Sequence, residues 1–368
     1  MGTSTFGGQA ETVNSLRKSN IELLRIIAMV FIVAHHFAFH GGFKFADDAL
    51  SVNRFWIQFL QIGGKIGVDI FILISGFFLV SASAVSTSKI IKTWAQMFFY
   101  SFIIFAGFVI VGLEPFQMKD FVKGIAPVIF SRWWFASTYF VLYLLSPYIN
   151  SLLKTFSEKQ YRSYLTVLFL CWCVIPTLTG KTFQSNALLW FVFLYSLAGY
   201  FRLFGIKLSL SGYKCIALSF AAIILTFLSA VLFDVLGTKM SVFAEHTTYF
   251  YNMQRLPVLF ISLFMFIGFS KLDLRYNKVI NVISSATFGV YLIHDHRFVR
   301  RFLWKTLFRN ASYSKSNMLI PYSLLVIGAV FAGCTIIELL RIRLLEKNYM
   351  PVVEKISSYI DKKKGFGF

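Results

Sequence analysis

Charge is scarce in this sequence. Asp, Glu, Lys and Arg make up only 14% of its 368 residues, where a soluble globular domain carries about 25%, so a water-soluble fold is disfavoured before any motif is read. Acidic residues are the rarer sign, 16 against 36 Lys and Arg. The net charge of +20 does not point to nucleic acid, because the basic residues sit in short loops between apolar blocks and form no folded basic face. Cysteine is also sparse. Cys171, Cys173, Cys215 and Cys334 all fall inside apolar segments; their spacing matches no zinc pattern, and a disulfide framework belongs to small secreted chains, so they are read as buried helix residues. Two processing signals are missing. The first apolar stretch ends in Phe39-His40-Gly41-Gly42 without a small-x-small cleavage site, which makes it a retained helix and not a signal peptide. The start Met1-Gly2-Thr3-Ser4-Thr5-Phe6 lacks the Ser or Thr that a myristoylation signal carries at the sixth position.

What is present is apolar: 57% of the chain, with 18% aromatic. It comes in blocks of about 20 residues, the length a helix needs to cross a bilayer core of about 30 Å. The reading is an all-α polytopic membrane bundle of about ten spans, near 21–40, 66–84, 94–113, 133–150, 163–179, 187–204, 215–236, 252–270, 279–296 and 319–340. Phe55 to Ile62 suggests an interfacial helix between the first two spans. Ten helices use up the membrane region 21–340, flanked by an N-terminal tail 1–20 and a basic C-terminal tail 341–368 that includes Lys362-Lys363-Lys364. Any chemistry must therefore sit within the bundle.

Orientation follows from the loops. With the N-terminus in the cytosol, 21 of the 36 Lys and Arg fall on the cytosolic side and 15 outside, which favours both termini inside. Six of the outer ones lie in one loop: Arg297, Arg300, Arg301, Lys305, Arg309 and Lys315. That loop is an exception that needs a reason.

Ionisable residues deep in a membrane are costly and face the bundle interior or a polar cavity. Arg25, His35 and His36 stand out on the first helix. At about 100° per residue, Arg25 and His36 are only about 20° apart around the helix and roughly 16 Å apart along it, whereas His35 is turned away by about 80°. Either Arg25 snorkels and His36 is a satisfied bundle histidine, or the pair acts together. Glu22, three residues before Arg25, is its expected helical ion partner. Asp69, in Gly67-Val68-Asp69-Ile70-Phe71, lies at a depth similar to His36; it either fixes the tautomer of an imidazole or caps the helix start. Ser75 and Gly76 read as a small-residue packing patch. Lys89 and Lys92 are either positive-inside anchors or contacts to the phosphates of a cytosolic cofactor. Trp133 and Trp134 look like an aromatic belt. Near the end, Gly289-Val290-Tyr291-Leu292-Ile293-His294-Asp295-His296 clusters three ionisable groups. No fourth metal ligand accompanies them, and histidines two apart on a helix point about 200° from each other, so no metal is expected.

These residues resemble acyltransferase family 3, the integral membrane acyltransferases of bacteria. The resemblance rests on Glu22-Leu23-Leu24-Arg25, His36 eleven residues after the arginine, Gly67-Val68-Asp69-Ile70-Phe71, Ser75-Gly76-Phe77 and Gly289-Val290-Tyr291-Leu292-Ile293-His294, in order from residue 20 to about 340. It implies cytosolic termini, an acyl donor in the form of cytosolic acyl-CoA, usually acetyl-CoA, and transfer to a hydroxyl of an extracytoplasmic glycan or lipid-linked sugar. The arginine and histidine essential in the family correspond to Arg25 and His36. One departure is Lys89-Ile90-Ile91-Lys92-Thr93-Trp94, where many members carry an arginine-rich, proline-ended stretch. A fused soluble hydrolase-like domain, found in some members, is not expected here.

The expected mechanism has His36 as general base, with Asp69 beside it. A covalent acyl-histidine is the variant. Arg25, with Lys89 and Lys92, would hold the donor. The basic 297–315 loop holds either an anionic glycan or lipid-linked pyrophosphate, or anionic headgroups. The bilayer is the surrounding partner, and the oligomeric state, a homo-oligomer included, stays open. The rival reading is a polysaccharide or lipid-linked glycan transporter. Symmetry-related repeats would support it, but the Arg25–His36 pattern has no counterpart in the second half. A non-catalytic scaffold would leave the intramembrane polar groups unexplained.

Overall fold

The computed structural model describes residues 18–45, 50–82 and 84–363. The proposed tail 1–20 therefore lies almost wholly outside the described residues, as does Lys364 at the other end. Helix accounts for 79% of the structure and no strand occurs among the described residues. In chain order the longer helices are α1 (Ser19–His40), α2 (Val52–Gln61), α3 (Gly63–Leu79), α4 (Thr87–Ile110), α5 (Met118–Ile125), α6 (Trp134–Thr155) and α7 (Glu158–Thr179). They continue with α8 (Ala187–Phe204), α9 (Gly212–Gly237), α10 (Leu256–Lys271), α11 (Lys278–Ser285), α12 (Thr287–His294), α13 (Leu319–Arg341) and α14 (Lys347–Lys363).

Local sequence sets where they begin. Ser51, Ser86, Ser157, Asn186, Ser211 and Asn277 each cap a helix by accepting a bond from a backbone N–H of its first turn. Ser157 and Gln160 complete a capping box.

Eight helical stretches among the described residues are long and apolar enough to cross a membrane. Two of the ten expected positions read differently. Helix α6 buries Ser137, Ser146 and Asn150 on its inward face, which dilutes its hydropathy. The expected span at 279–296 is broken at Ala286 into the short helices α11 and α12. Interrupted helix at membrane depth is tolerated where it lines a cavity, and both elements do. The stretch 55–62 falls on α2, joined to α3 through Ile62 and packed on α1, α9 and α13. Arg54 of α2 makes a two-point ion pair with buried Asp234 of α9, at 2.6 and 3.0 Å.

Helix α3 is the hub, packed on α1, α8, α10 and α6. Close approach depends on glycine. A Cβ at Gly67 would lie 2.5 Å from the Ala28 carbonyl oxygen of α1, and one at Gly76 would lie 2.5 Å from the Tyr195 carbonyl oxygen of α8. Gly76 thus serves the packing role read from the sequence. Helix α1 starts, and α13 ends, at the same end of the bundle: Asn20 there donates to the Phe269 and Leu272 carbonyls of α10 and its C-cap, and Arg341, closing α13, shares a cavity with Arg25. At that end Glu338, almost fully buried, gathers Gln96, Tyr100 and Arg341, and Arg341 continues to Glu346 and Tyr349.

Candidate active site

Arg25, Met29, Ile32 and His36 succeed one another at steps of four, three and four residues, so they form one stripe along α1. The stripe runs past two groups of cavities. Arg25 and Met29 line the inner group, at the end of the bundle where α1 starts; Ile32 and His36 line an outer one.

His36 is held by a chain of hydrogen bonds. Its Nδ1 lies 2.9 Å from Nε2 of His294, and His294 Nδ1 lies 2.6 Å from the Val290 carbonyl oxygen. A carbonyl can only accept, so His294 carries its proton on Nδ1, and in the neutral ring its Nε2 is an acceptor. His36 must then donate from Nδ1, which leaves the lone pair of its Nε2 free. Asp295 Oδ1 stands 3.7 Å from the same Nδ1. This is the arrangement a general base needs: one nitrogen fixed, the other available.

The outer cavity, about 270 Å³, is lined by His35, His36, His40, Lys65, Trp134, Phe135, Tyr291, Asp295 and Arg300 among others. Lys65 has no carboxylate at ion-pair distance among the described residues, and its Nζ sits 4.5 Å above the Trp134 ring. A cation stacked in this way is held without being neutralised. Ligand atoms of His36, His40 and Asp295 lie within 4.8 Å of one another. Arg300 Nη1, however, is 3.2 Å from Asp295 Oδ1 and 3.4 Å from His40 Nε2, so a guanidinium already holds the position from which a metal would bind these two.

The inner end opens into adjoining cavities of about 410 and 620 Å³ that share Arg25, Ser75, Lys92, Thr93, Gln96 and Tyr139. Lys18, Lys89 and Arg202 line the larger one and Arg341 the smaller. The expected Glu22–Arg25 pair forms, at 3.0 and 3.1 Å, and Ser284 donates to the same carboxylate. Lys92 pairs with Glu346.

Residues 18–339 match the acyltransferase domain family, nearly the full length of the chain. The chain belongs to acyltransferase family 3. No curated protein and no solved structure gives a significant match. With its apolar helices, the protein is a multi-pass membrane acyltransferase.

In this acyltransferase the five residues singled out in the sequence divide into three groups. Arg25, Lys89 and Lys92 come together around the inner cavity, and His36 faces the outer one. Asp69 does neither of the things expected of it. It is the seventh residue of α3, too deep to cap the helix, and its Oδ1 accepts a 3.0 Å bond from Trp190 Nε1. It is absent from the lining of the His36 cavity, where the neighbouring carboxylate is Asp295. His35 bonds the Gln61 carbonyl at 2.8 Å, a local polar role.

The basic 297–315 loop finds part of its reason in ion pairs: Arg297 with Asp120, Arg300 with Asp295, and Arg301 with Glu114. Sequence reading missed Lys65, Phe135 and the Glu338–Arg341 network. The signal for Lys65 was present: it is a lone cation two residues before Gly67 in a largely apolar segment.

Proposed function

We propose that this membrane acyltransferase is an O-acyltransferase, in the simplest case an acetyltransferase. It moves an acyl group from cytosolic acyl-CoA to a hydroxyl of a cell-surface polysaccharide or its lipid-linked precursor. One observation carries the reading: two groups of cavities stacked along one face of α1, the inner rich in cations around Arg25, the outer built on a His36 with a free Nε2 lone pair. Both termini lie in the cytosol, a reading supported by the 21-to-15 distribution of Lys and Arg.

Arg25, Lys89 and Lys92, with Lys18 and Arg202 nearby, supply the positive field for the phosphates of the donor. The acceptor hydroxyl enters the outer cavity. His36 Nε2 takes its proton as the oxygen attacks the thioester carbon. The tetrahedral oxyanion forms beside Lys65 and Arg300. The C–S bond then breaks, the leaving thiolate recovers the proton from the imidazolium, and an ester and free CoA result. Asp295 and His294 stabilise the imidazolium between these steps. Nε2 is also the nitrogen that would carry the acyl group in the covalent variant.

Membership of an acyltransferase family favours this reading over glycan transport. The test compares the NMR spectrum of surface glycan with and without the gene. Loss of O-acyl signals with export intact supports the proposal; intact O-acyl signals with lost export would favour the transporter.

A further inference from the structure

The inner and outer cavities meet at a single side chain. On α1 the inner cavity ends at Met29 and the outer begins at Ile32; on α3 the corresponding residues are Phe71 and Val68; on α12 they are Phe288 and Tyr291. Only Phe135 of α6, among the described residues, lines both the smaller inner cavity and the outer one. Phe135 is 4% exposed. It stands edge-on to Tyr291 with centroids 5.4 Å apart, stacks on Tyr139 at 6.2 Å and tilts against Phe71 at 6.1 Å.

Residues of four helices, α1, α3, α6 and α12, line both cavities, and Phe135 is the side chain that the two linings share. We infer that Phe135 is the gate between the donor and acceptor cavities and that it determines which acyl chains reach His36. The inference rests on the function proposed above and adds a specificity determinant to it. The phosphates of the donor are held on the inner side, so the acyl thioester must pass this ring to meet a hydroxyl activated by His36. A short acyl group needs a small ring rotation. A longer one must displace the ring from its contacts with Tyr291, Tyr139 and Phe71, and this disfavours it. With the ring in place the thioester is also shielded from water at the His36 end, which limits hydrolysis of the donor.

Two substitutions change the gate in opposite directions. Phe135→Leu keeps an apolar side chain but opens the passage. Phe135→Trp enlarges the plug. CoA release is measured from acetyl-, butyryl- and hexanoyl-CoA, using the full chain in membranes that contain its natural acceptors and again in acceptor-free detergent. Phe135→Leu should raise the hexanoyl-to-acetyl ratio by about tenfold, the scale on which an apolar pocket discriminates chain length. It should also raise acceptor-independent CoA release. Phe135→Trp should lower acetyl transfer while leaving the KM for acetyl-CoA, set around Arg25, unchanged. An active wild type whose two variants keep its rate and chain-length profile overturns the gate alone. A wild type inert with every acyl-CoA overturns the proposed function and the gate with it.

Discussion

Replacing His294 by leucine removes the acceptor for the His36 Nδ1 proton and leaves the bulk of the side chain in place. Two outcomes are open to His36. It keeps its proton on Nδ1 with that donor buried and the Asp295 carboxylate 3.7 Å away, beyond hydrogen-bond reach, or it moves the proton to Nε2 and loses the lone pair of that nitrogen. An unpaired buried donor costs about 1–3 kcal/mol. At 1.36 kcal/mol per decade, the competent tautomer is then depleted about 5- to 150-fold, and kcat should fall by that factor. The fall should be smaller than for His36→Ala, where the base itself is lost at a cost of about 10²- to 10⁴-fold. His294 lies outside the inner cavities, so the KM for acyl-CoA should not move. His294→Gln places an amide oxygen where Nε2 stood and should recover much of the lost rate. Steady-state kinetics on purified protein, with acyl donor varied, reads both parameters. A His294→Leu enzyme with wild-type kcat, or one impaired only in KM, would refute the hydrogen-bond assignment.

Arg25→Lys keeps the charge but loses the planar fork that grips phosphate at two points; the KM for acyl-CoA should rise while kcat changes less. Asp69→Asn should lower the unfolding midpoint in detergent more than it lowers turnover, because Asp69 bonds Trp190 and does not line the His36 cavity. Equal stability with lost turnover would return Asp69 to the chemistry. His35→Ala should retain more transfer than His36→Ala at equal expression, since His35 Nδ1 is engaged by the Gln61 carbonyl. A cysteine at exposed Asn317 should react with an impermeant thiol reagent on intact cells, and one at exposed Lys159 only after permeabilisation. The reverse pattern would invert the orientation and put the Arg25 cavity outside.

The sequence made one long-range fact legible by arithmetic alone. Eleven residues return a helix to nearly the same face, and Arg25 and His36 do line successive cavities along α1. The Glu22–Arg25 pair was legible for the same reason, being local to one helix. The partners of His36 were not. His294 is 258 residues away, and nothing within α12 says which helix it faces, because nearly every face of a membrane helix is apolar and periodicity loses its power to mark the inward side. The contact of Asp69 was hidden on the same ground: its depth suggested a histidine, and the inter-helix packing around α3 brings its Oδ1 to Trp190 of α8. The break at Ala286 was hidden because α11 and α12 together read as one apolar run, and only the cavity they line accounts for the interruption.

The central claim is that His36 performs acyl transfer with a donor held around Arg25. It is tested most directly by incubating purified wild-type and His36→Ala protein with radiolabelled acetyl-CoA and surface glycan, and counting label in the glycan. The account predicts label transfer by the wild type and a loss of about 10²- to 10⁴-fold in His36→Ala, with acetyl-CoA binding retained. Near-normal transfer by His36→Ala would contradict it.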